Sequence, residues 1–334
     1  ALTDMVAEAV AAFVIAFFVI CCCCCCCWSF IVYKCLKVTV KALKHEKLLM
    51  DEHDDQDQET YWPKDPRTPT YWTNQDLQQP FDEREPIDSL VPIVQSMFDS
   101  TWKDIVTRDR QGGKPDGLEV ISVERFEDQN MWSNYIAEKE KIRRKRGPPP
   151  NPTPVHLLDG NPNTGVVLTD KFIAALSGGE GLDQEVNEHY LFHGTSPEAA
   201  EAISEDGFRI NLAGSNAGVL FGKGAYFAEC SSKADEYSVA GGGKQVTLGG
   251  YAFVQDADEY AILLSRVCMG KVLRAYSSKD KKEIEKKLKK GMIDSVLGDR
   301  EEKVGTYREF IVYREAQIYP EYRVIYRRTY GESS

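Results

Sequence analysis

The sequence predicts an α+β domain preceded by one membrane-spanning helix, and three observations carry that reading. Between Tyr190 and Tyr237 the pattern runs strand (Glu188–Phe192), helix (Pro197–Glu205), short strand (Ala225–Ala228) and helix (Ser231–Tyr237). Further strands recur without a regular helical partner, at Leu118–Phe126, Tyr260–Tyr276, Tyr307–Tyr313 and Tyr322–Arg328. Ahead of all of them, Ala9–Tyr33 holds 25 consecutive uncharged residues.

As a helix that run would reach roughly 37 Å, longer than the roughly 30 Å hydrocarbon core of a bilayer. Asp4 and Glu8 precede it, where a signal peptide would carry positive charge, and Lys34, Lys37, Lys41, Lys44 and Lys47 follow it. This bias places the rest of the chain in the cytosol, as a single-pass membrane protein anchored through residues 9–33. Seven of the ten cysteines are consecutive, Cys21–Cys27. They read as small apolar filling, with S-palmitoylation of Cys27 or Cys35 as the second reading.

Residues 34–88 read as a juxtamembrane linker, basic and then acidic. From Asp51 to Asp88 it has twelve acidic residues against three basic and no apolar period. Tyr61-Trp62 and Tyr71-Trp72 within it either bind a partner or pack back on the domain. The domain proper is assigned to residues 89–330. Val91, Val94, Met97, Phe98 and Trp102 fall at helical spacing, and Asp128 is placed to cap a helix carrying Met131, Trp132 and Tyr135. Arg143–Arg146 end that helix as a solvated basic terminus before Gly147-Pro148-Pro149-Pro150, and residues 147–185 read as a surface insertion. A net charge of -11 argues against nucleic acid as the main partner.

His193-Gly194-Thr195, then Phe221-Gly222-Lys223-Gly224-Ala225-Tyr226-Phe227-Ala228, then Tyr237, and finally Tyr307-Arg308-Glu309-Phe310-Ile311-Val312-Tyr313 occur in that order. Together they resemble the NAD-binding core of the poly(ADP-ribose) polymerase family over roughly residues 89–327. Tyr319-Pro320-Glu321-Tyr322 resembles the tankyrase-like ending of that family. The resemblance implies mixed, largely antiparallel sheets with flanking helices. It also implies a transferase that uses NAD as substrate, releases nicotinamide and passes ADP-ribose to protein acceptors, in single units or in chains.

Residue by residue, the resemblance makes Glu309 the catalytic carboxylate, with His193 and Tyr226 beside it. A glutamate alternating with Tyr307, Ile311 and Tyr313 on one strand face is costly without a specific partner. His193, Gly194, Thr195, Arg209, Tyr226, Lys233 and Tyr237 would contact NAD: His193 the adenosine ribose, Gly194 the nicotinamide amide, Tyr237 and Tyr226 the two ring faces. Lys223 and Lys233 would neutralise pyrophosphate. The family's usual serine is replaced by Ala234, for which Ser231 or Ser232 would have to substitute, and this keeps open a second class, a non-catalytic NAD- or ADP-ribose-binding membrane scaffold. No metal site is expected, since Cys230 and Cys268 stand alone. Lys279–Lys290, with seven lysines against three acids, reads first as a solvated helix face; in the second reading it would grip a growing chain and give short polymers at low salt. The Gly218–Lys223 stretch is no phosphate-binding Walker loop, and no G-x-G-x-x-G follows a strand, so kinase and hydride-transfer chemistry are set aside.

Overall fold

A computed structural model describes residues 68–74, 82–110, 112–146, 166–212, 220–241, 245–248, 251–254 and 258–331. The expected membrane span 9–33 and most of the 34–88 linker lie outside the described residues. Among those described, no helix is long and apolar enough to cross a membrane.

In chain order the elements are β1 (Asp82–Pro86), α1 (Val91–Thr101), β2 (Gly117–Asp128), α2 (Gln129–Arg146), α3 (Ile173–Leu176), β3 (Glu188–Thr195), α4 (Pro197–Asp206), β4 (Ala225–Ala228), α5 (Ser231–Asp235), β5 (Gln245–Leu248), β6 (Tyr251–Val254), β7 (Glu259–Cys268), β8 (Val272–Ala275), α6 (Lys281–Lys289), β9 (Ser295–Asp299), α7 (Arg300–Val304), β10 (Arg308–Val312) and β11 (Ile318–Thr329). Nine strands form one mixed sheet in the order β1-β2-β11-β7-β3-β4-β10-β9-β8, and β5 with β6 forms a separate hairpin. Only β8 with β9 is parallel within that sheet. With helices flanking it, the architecture is α+β.

The resemblance implied two sheets; here nine of the strands share one sheet, which has a weak seam. β3 and β4 are joined by one residue pair, Phe192 with Ala228, whereas β3 pairs with β7 along its whole length. Beyond that one pair β3 and β4 are not joined, and the cavity beside Glu309 is not lined by His193. The core fills both faces. Leu191, Leu263, Val267, Phe310 and Val312 join one cluster. Tyr190, Phe192, Ile262, Leu264, Val324 and Phe98 join another. Alternate residues of β3 and β7 enter opposite clusters, the period-2 rule of a strand covered on both sides.

Local sequence explains most boundaries. Met131 N–H donates to the Asp128 carboxylate at 2.6 Å, capping α2 as expected. Ser196 accepts from Ala199 N–H at 3.2 Å ahead of Pro197, and Gly207 at φ +76° ends α4. The long strand expected at Tyr260–Tyr276 is broken. Gly270 turns there at φ +56°, and a Cβ on it would meet Asp294 at 2.7 Å, so β8 leaves β7 and pairs with β9 at the far edge of the sheet.

Parts of the expected linker and insertion belong to the fold. Asp82–Pro86 is edge strand β1, paired to β2. Trp72 stacks on Tyr319 and tilts against Trp132, so the Tyr71-Trp72 pair packs back on the domain. Of the expected surface insertion, Val167 and Leu176 are buried in the core and Thr169 Oγ1 donates to the Tyr190 carbonyl at 2.5 Å. The basic end of α2 is tied down: Arg143 pairs with Asp183, and Lys145 with Asp294 at 3.0 Å.

Candidate active site

β10 places Glu309 between β4 and β9, opposite Ala228 on one side and Gly298 on the other. Its alternation is the one the sequence expects: Phe310 and Val312 enter the core, while Ile311 and Tyr313 pack with Phe221 and Tyr226. Phe221 packs against Gly298, where a Cβ would sit 2.2 Å from the ring. Gly224 likewise admits the Val312 carbonyl, 2.6 Å from where its Cβ would be. Both glycines are therefore packing requirements of the strands that carry the glutamate.

Glu309 opens into a cavity of about 560 Å³, lined among others by Thr107, Asp109, Lys233, Tyr237, Arg300 and Tyr307. Glu309 is 8% exposed as a residue, and its counter-charge is Lys233, with Nζ 3.8 Å from Oε1. Burial raises the Glu309 pKa above the ordinary carboxylate value, the Lys233 charge pulls it back, and Asp109 pushes it up again. Lys233 itself is held above its ordinary value: burial works against its charge, but Glu309, Tyr237 and Glu236 outweigh that. The ammonium is therefore fixed positive beside a carboxylate that pairs with it only loosely.

Lys233 departs from its expected pyrophosphate role. Its Nζ bonds Glu236 at 2.9 Å, Asp109 at 3.0 Å and the Tyr237 hydroxyl at 3.2 Å, and it lies 4.7 Å from the Tyr237 ring centroid. These contacts commit it to the floor of the glutamate's cavity. Tyr237 lines the same cavity as Glu309, with its hydroxyl donating to Asp109 at 2.9 Å.

His193 and Tyr226 meet across the seam. Nδ1 of His193 lies 2.9 Å from the Tyr226 carbonyl. A carbonyl only accepts, so Nδ1 carries the proton and Nε2 is left as an acceptor. Burial lowers the His193 pKa, keeping the ring neutral, and Phe208 meets it edge-on at 5.0 Å. The Tyr226 hydroxyl accepts from Phe221 N–H at 3.0 Å and donates to the Gly222 carbonyl at 2.9 Å, so it holds the turn before β4.

Three expectations change with the geometry. Gly194 is needed for α5: a Cβ on it would lie 1.8 Å from the Ala234 carbonyl oxygen. Ala234 packs in the apolar core, and neither proposed substitute is free, since Ser231 Oγ donates to the Phe98 carbonyl at 2.8 Å and Ser232 Oγ accepts from Lys103 N–H at 3.0 Å. Arg209 is more than half exposed, paired with Asp206 at 2.7 Å, and is not in the cavity lining. Thr195 closes β3, half-buried.

A strap of residues 103–110, which the sequence left unassigned, forms one wall. It is latched to α5 and its neighbours by Thr107 N–H to Glu236 at 3.0 Å, Arg110 to Asp235 at 2.7 Å, and the Tyr307 hydroxyl to the Ile105 carbonyl at 2.9 Å. It has no period and no motif, so only its closeness to Trp102 hinted at it. Among the described residues no group of three or more His, Cys, Asp or Glu is placed to hold a metal.

With this geometry in hand, comparison with known proteins is specific. The family model of the poly(ADP-ribose) polymerase catalytic domain matches residues 100–328. Human protein mono-ADP-ribosyltransferase PARP11 is 23% identical over 261 residues, covering 77% of this chain and 62% of the relative. Mouse protein mono-ADP-ribosyltransferase PARP12 is 27% identical over 143 residues, 43% of this chain and 17% of the relative. Human protein mono-ADP-ribosyltransferase PARP14 is 27% identical over 109 residues, 33% of this chain and 4% of the relative. The chain thus spans less than two thirds of the length of these relatives.

Proposed function

This chain belongs to the poly(ADP-ribose) polymerase catalytic-domain family, and from that membership we propose that it is an ADP-ribosyltransferase that takes NAD as substrate and modifies proteins. The observation that carries the reading is Glu309: a buried carboxylate with a raised pKa and a loose counter-ion, facing Tyr237 across one cavity.

The chemistry asked of these residues is modest. The bond between C1' of the ribose and the nicotinamide nitrogen breaks, and the electron pair leaves with nicotinamide, which departs neutral. Positive charge grows on the ribose, where a fixed carboxylate in a low-dielectric site stabilises it. Glu309 accepts a hydrogen bond from a ribose hydroxyl and polarises the incoming acceptor, whose lone pair forms the new bond to C1' and whose proton passes to Glu309 or solvent. Tyr237 stacks on the nicotinamide ring. The Lys233 charge works against the effect of burial on Glu309.

The relatives are named mono-ADP-ribosyltransferases, and none of the α6 lysines lines the cavity. Single units are therefore the product expected here, in place of the short chains that the lysine-rich helix and the trio His193, Tyr226 and Glu309 suggested. Attachment through residues 9–33, with the catalytic domain in the cytosol, remains part of the proposal. It is checked by protease digestion of sealed vesicles with the cytosolic face outward, in which the domain should be cut.

Incubation of the full chain with labelled NAD tests the function. Nicotinamide release and labelled protein are expected from the wild type, as single units on a gel. Glu309→Gln should slow release by about 100-fold or more while NAD binding stays near wild type, because the carboxylate acts on the transition state. Binding without release in the wild type would instead fit the scaffold reading.

A further inference from the structure

The strap puts a second carboxylate on the proposed site, and its geometry points to a task. Asp109 Oδ2 accepts from Lys233 Nζ at 3.0 Å and from the Tyr237 hydroxyl at 2.9 Å. Lys233 also reaches Glu236 at 2.9 Å, which leaves Glu309 the most distant of its three acidic neighbours, at 3.8 Å. Glu236 is in turn fixed by Thr107, whose N–H and hydroxyl donate at 3.0 and 2.7 Å. The ammonium is thus drawn away from Glu309 by two carboxylates that the strap either carries or anchors.

We propose that Asp109 is a positioning residue: bonded to both Lys233 and Tyr237, it holds the ammonium off Glu309 so that the glutamate's oxygens stay open to the substrate. A direct Lys233–Glu309 ion pair in this buried setting would satisfy the carboxylate before the ribose arrived. Without Asp109 the ammonium has one fewer partner, and Glu309 is the next one within reach. The charged and titratable groups around Glu309 are Lys233 and Glu236 at α5, Tyr237 after it, Arg108 and Asp109 on the strap, Arg300 at the start of α7, Tyr226 on β4 and Tyr307 just ahead of β10. Removing the Asp109 charge lowers the Glu309 pKa by two routes of the same sign: a like charge is lost, and Lys233 comes closer.

The inference rests on the transferase reading for its consequence but not for its measurement. In the full chain, labelled with carbon-13 at the glutamate side-chain carboxyls, Glu309 is titrated by NMR, its signal assigned with Glu309→Gln. Asp109→Asn, close to isosteric, is expected to lower the Glu309 midpoint by about one pH unit. Nicotinamide release should fall about tenfold in kcat with KM changed less than threefold, since Tyr237 keeps its bond to Lys233. An unmoved midpoint overturns the inference. Lys103→Met cuts the strap's ion pair with Glu301 and leaves Asp109 in place. Its midpoint should match wild type, and an equal drop there would assign the effect to a slack strap and overturn the inference as well. Asp109→Ser repeats the titration should the amide variant lose its fold. If the wild type releases no nicotinamide while the midpoint still drops, the transferase reading fails and the placement of Lys233 by Asp109 stands. If the wild type releases nicotinamide normally and the midpoint stays put, the transferase reading stands and the placement of Lys233 by Asp109 fails.

Discussion

Gly194 and Ala234 show how one residue type can answer to a need other than the one its motif suggests. A glycine after the histidine reads as a place where a ligand meets bare backbone. In the structure the closest claimant is α5, whose Ala234 carbonyl oxygen would lie 1.8 Å from a Cβ at 194. That neighbour is backbone, on a helix buried on every residue, and has little room to yield. Gly194→Ala is therefore expected to cost about 1–3 kcal/mol, read as a lower denaturant midpoint with an unchanged slope. Ala234→Ser, which the motif predicts would restore a hydrogen bond to nicotinamide, instead sets a hydroxyl at a buried position of the apolar cluster. NAD affinity by calorimetry should stay within about twofold of wild type, with a stability cost of order 1 kcal/mol. The identity of these residues was legible in the sequence; what their atoms touch was not, because that depends on a helix placed by contacts far away in the chain.

Elements with a strong period were readable, and those held by scattered polar latches were not. β4 was found to the residue, and β10 and β3 within a few, because their apolar alternation is set by two covered faces. β1 alternates no apolar residues, being an exposed edge whose Arg84 pairs with Glu201, so it read as linker. The strap 103–110 is the sharper case. Its order comes from partners more than a hundred positions away, such as Tyr307, whose hydroxyl lies 2.9 Å from the Ile105 carbonyl and 3.1 Å from Ser232 Oγ. Burial pushes the Tyr307 pKa up to about 12, so the hydroxyl stays a donor across the physiological range. Tyr307→Phe should loosen the strap at a cost of about 1 kcal/mol, with faster amide hydrogen exchange at residues 103–107 and little change in β10. Equal protection in the mutant would show that the other latches suffice.

At the scale of the whole molecule, a buried charge network joins elements that no sequence pattern connects. Glu188, at the start of β3, receives Lys139 Nζ and the Tyr135 hydroxyl from α2, both at 2.7 Å, and faces Arg266 of β7 at 3.6 Å. Arg266 continues to Glu321 of β11 at 2.6 Å and to Tyr71 from the segment ahead of β1. Burial alone would raise the Glu188 pKa, but Lys139 and Arg266 overcome it and hold the carboxyl at about 2. A folded pKa below the unfolded one means that the unfolded chain binds the proton more readily. The stabilisation is therefore present above the ordinary carboxylate value of about 4.5 and is lost as pH falls from there towards about 2. Its size is on the order of 3 kcal/mol. Glu188→Gln leaves Lys139 and Arg266 without their shared anion, so the variant should be markedly less stable at neutral pH. The difference from wild type, followed by urea unfolding at a series of pH values, should stay constant down to about pH 5. It should then shrink steadily as the wild-type carboxyl takes up its proton. A gap of constant width down to pH 2 would mean that packing around the side chain, rather than its charge, ties β3 to α2 and β7.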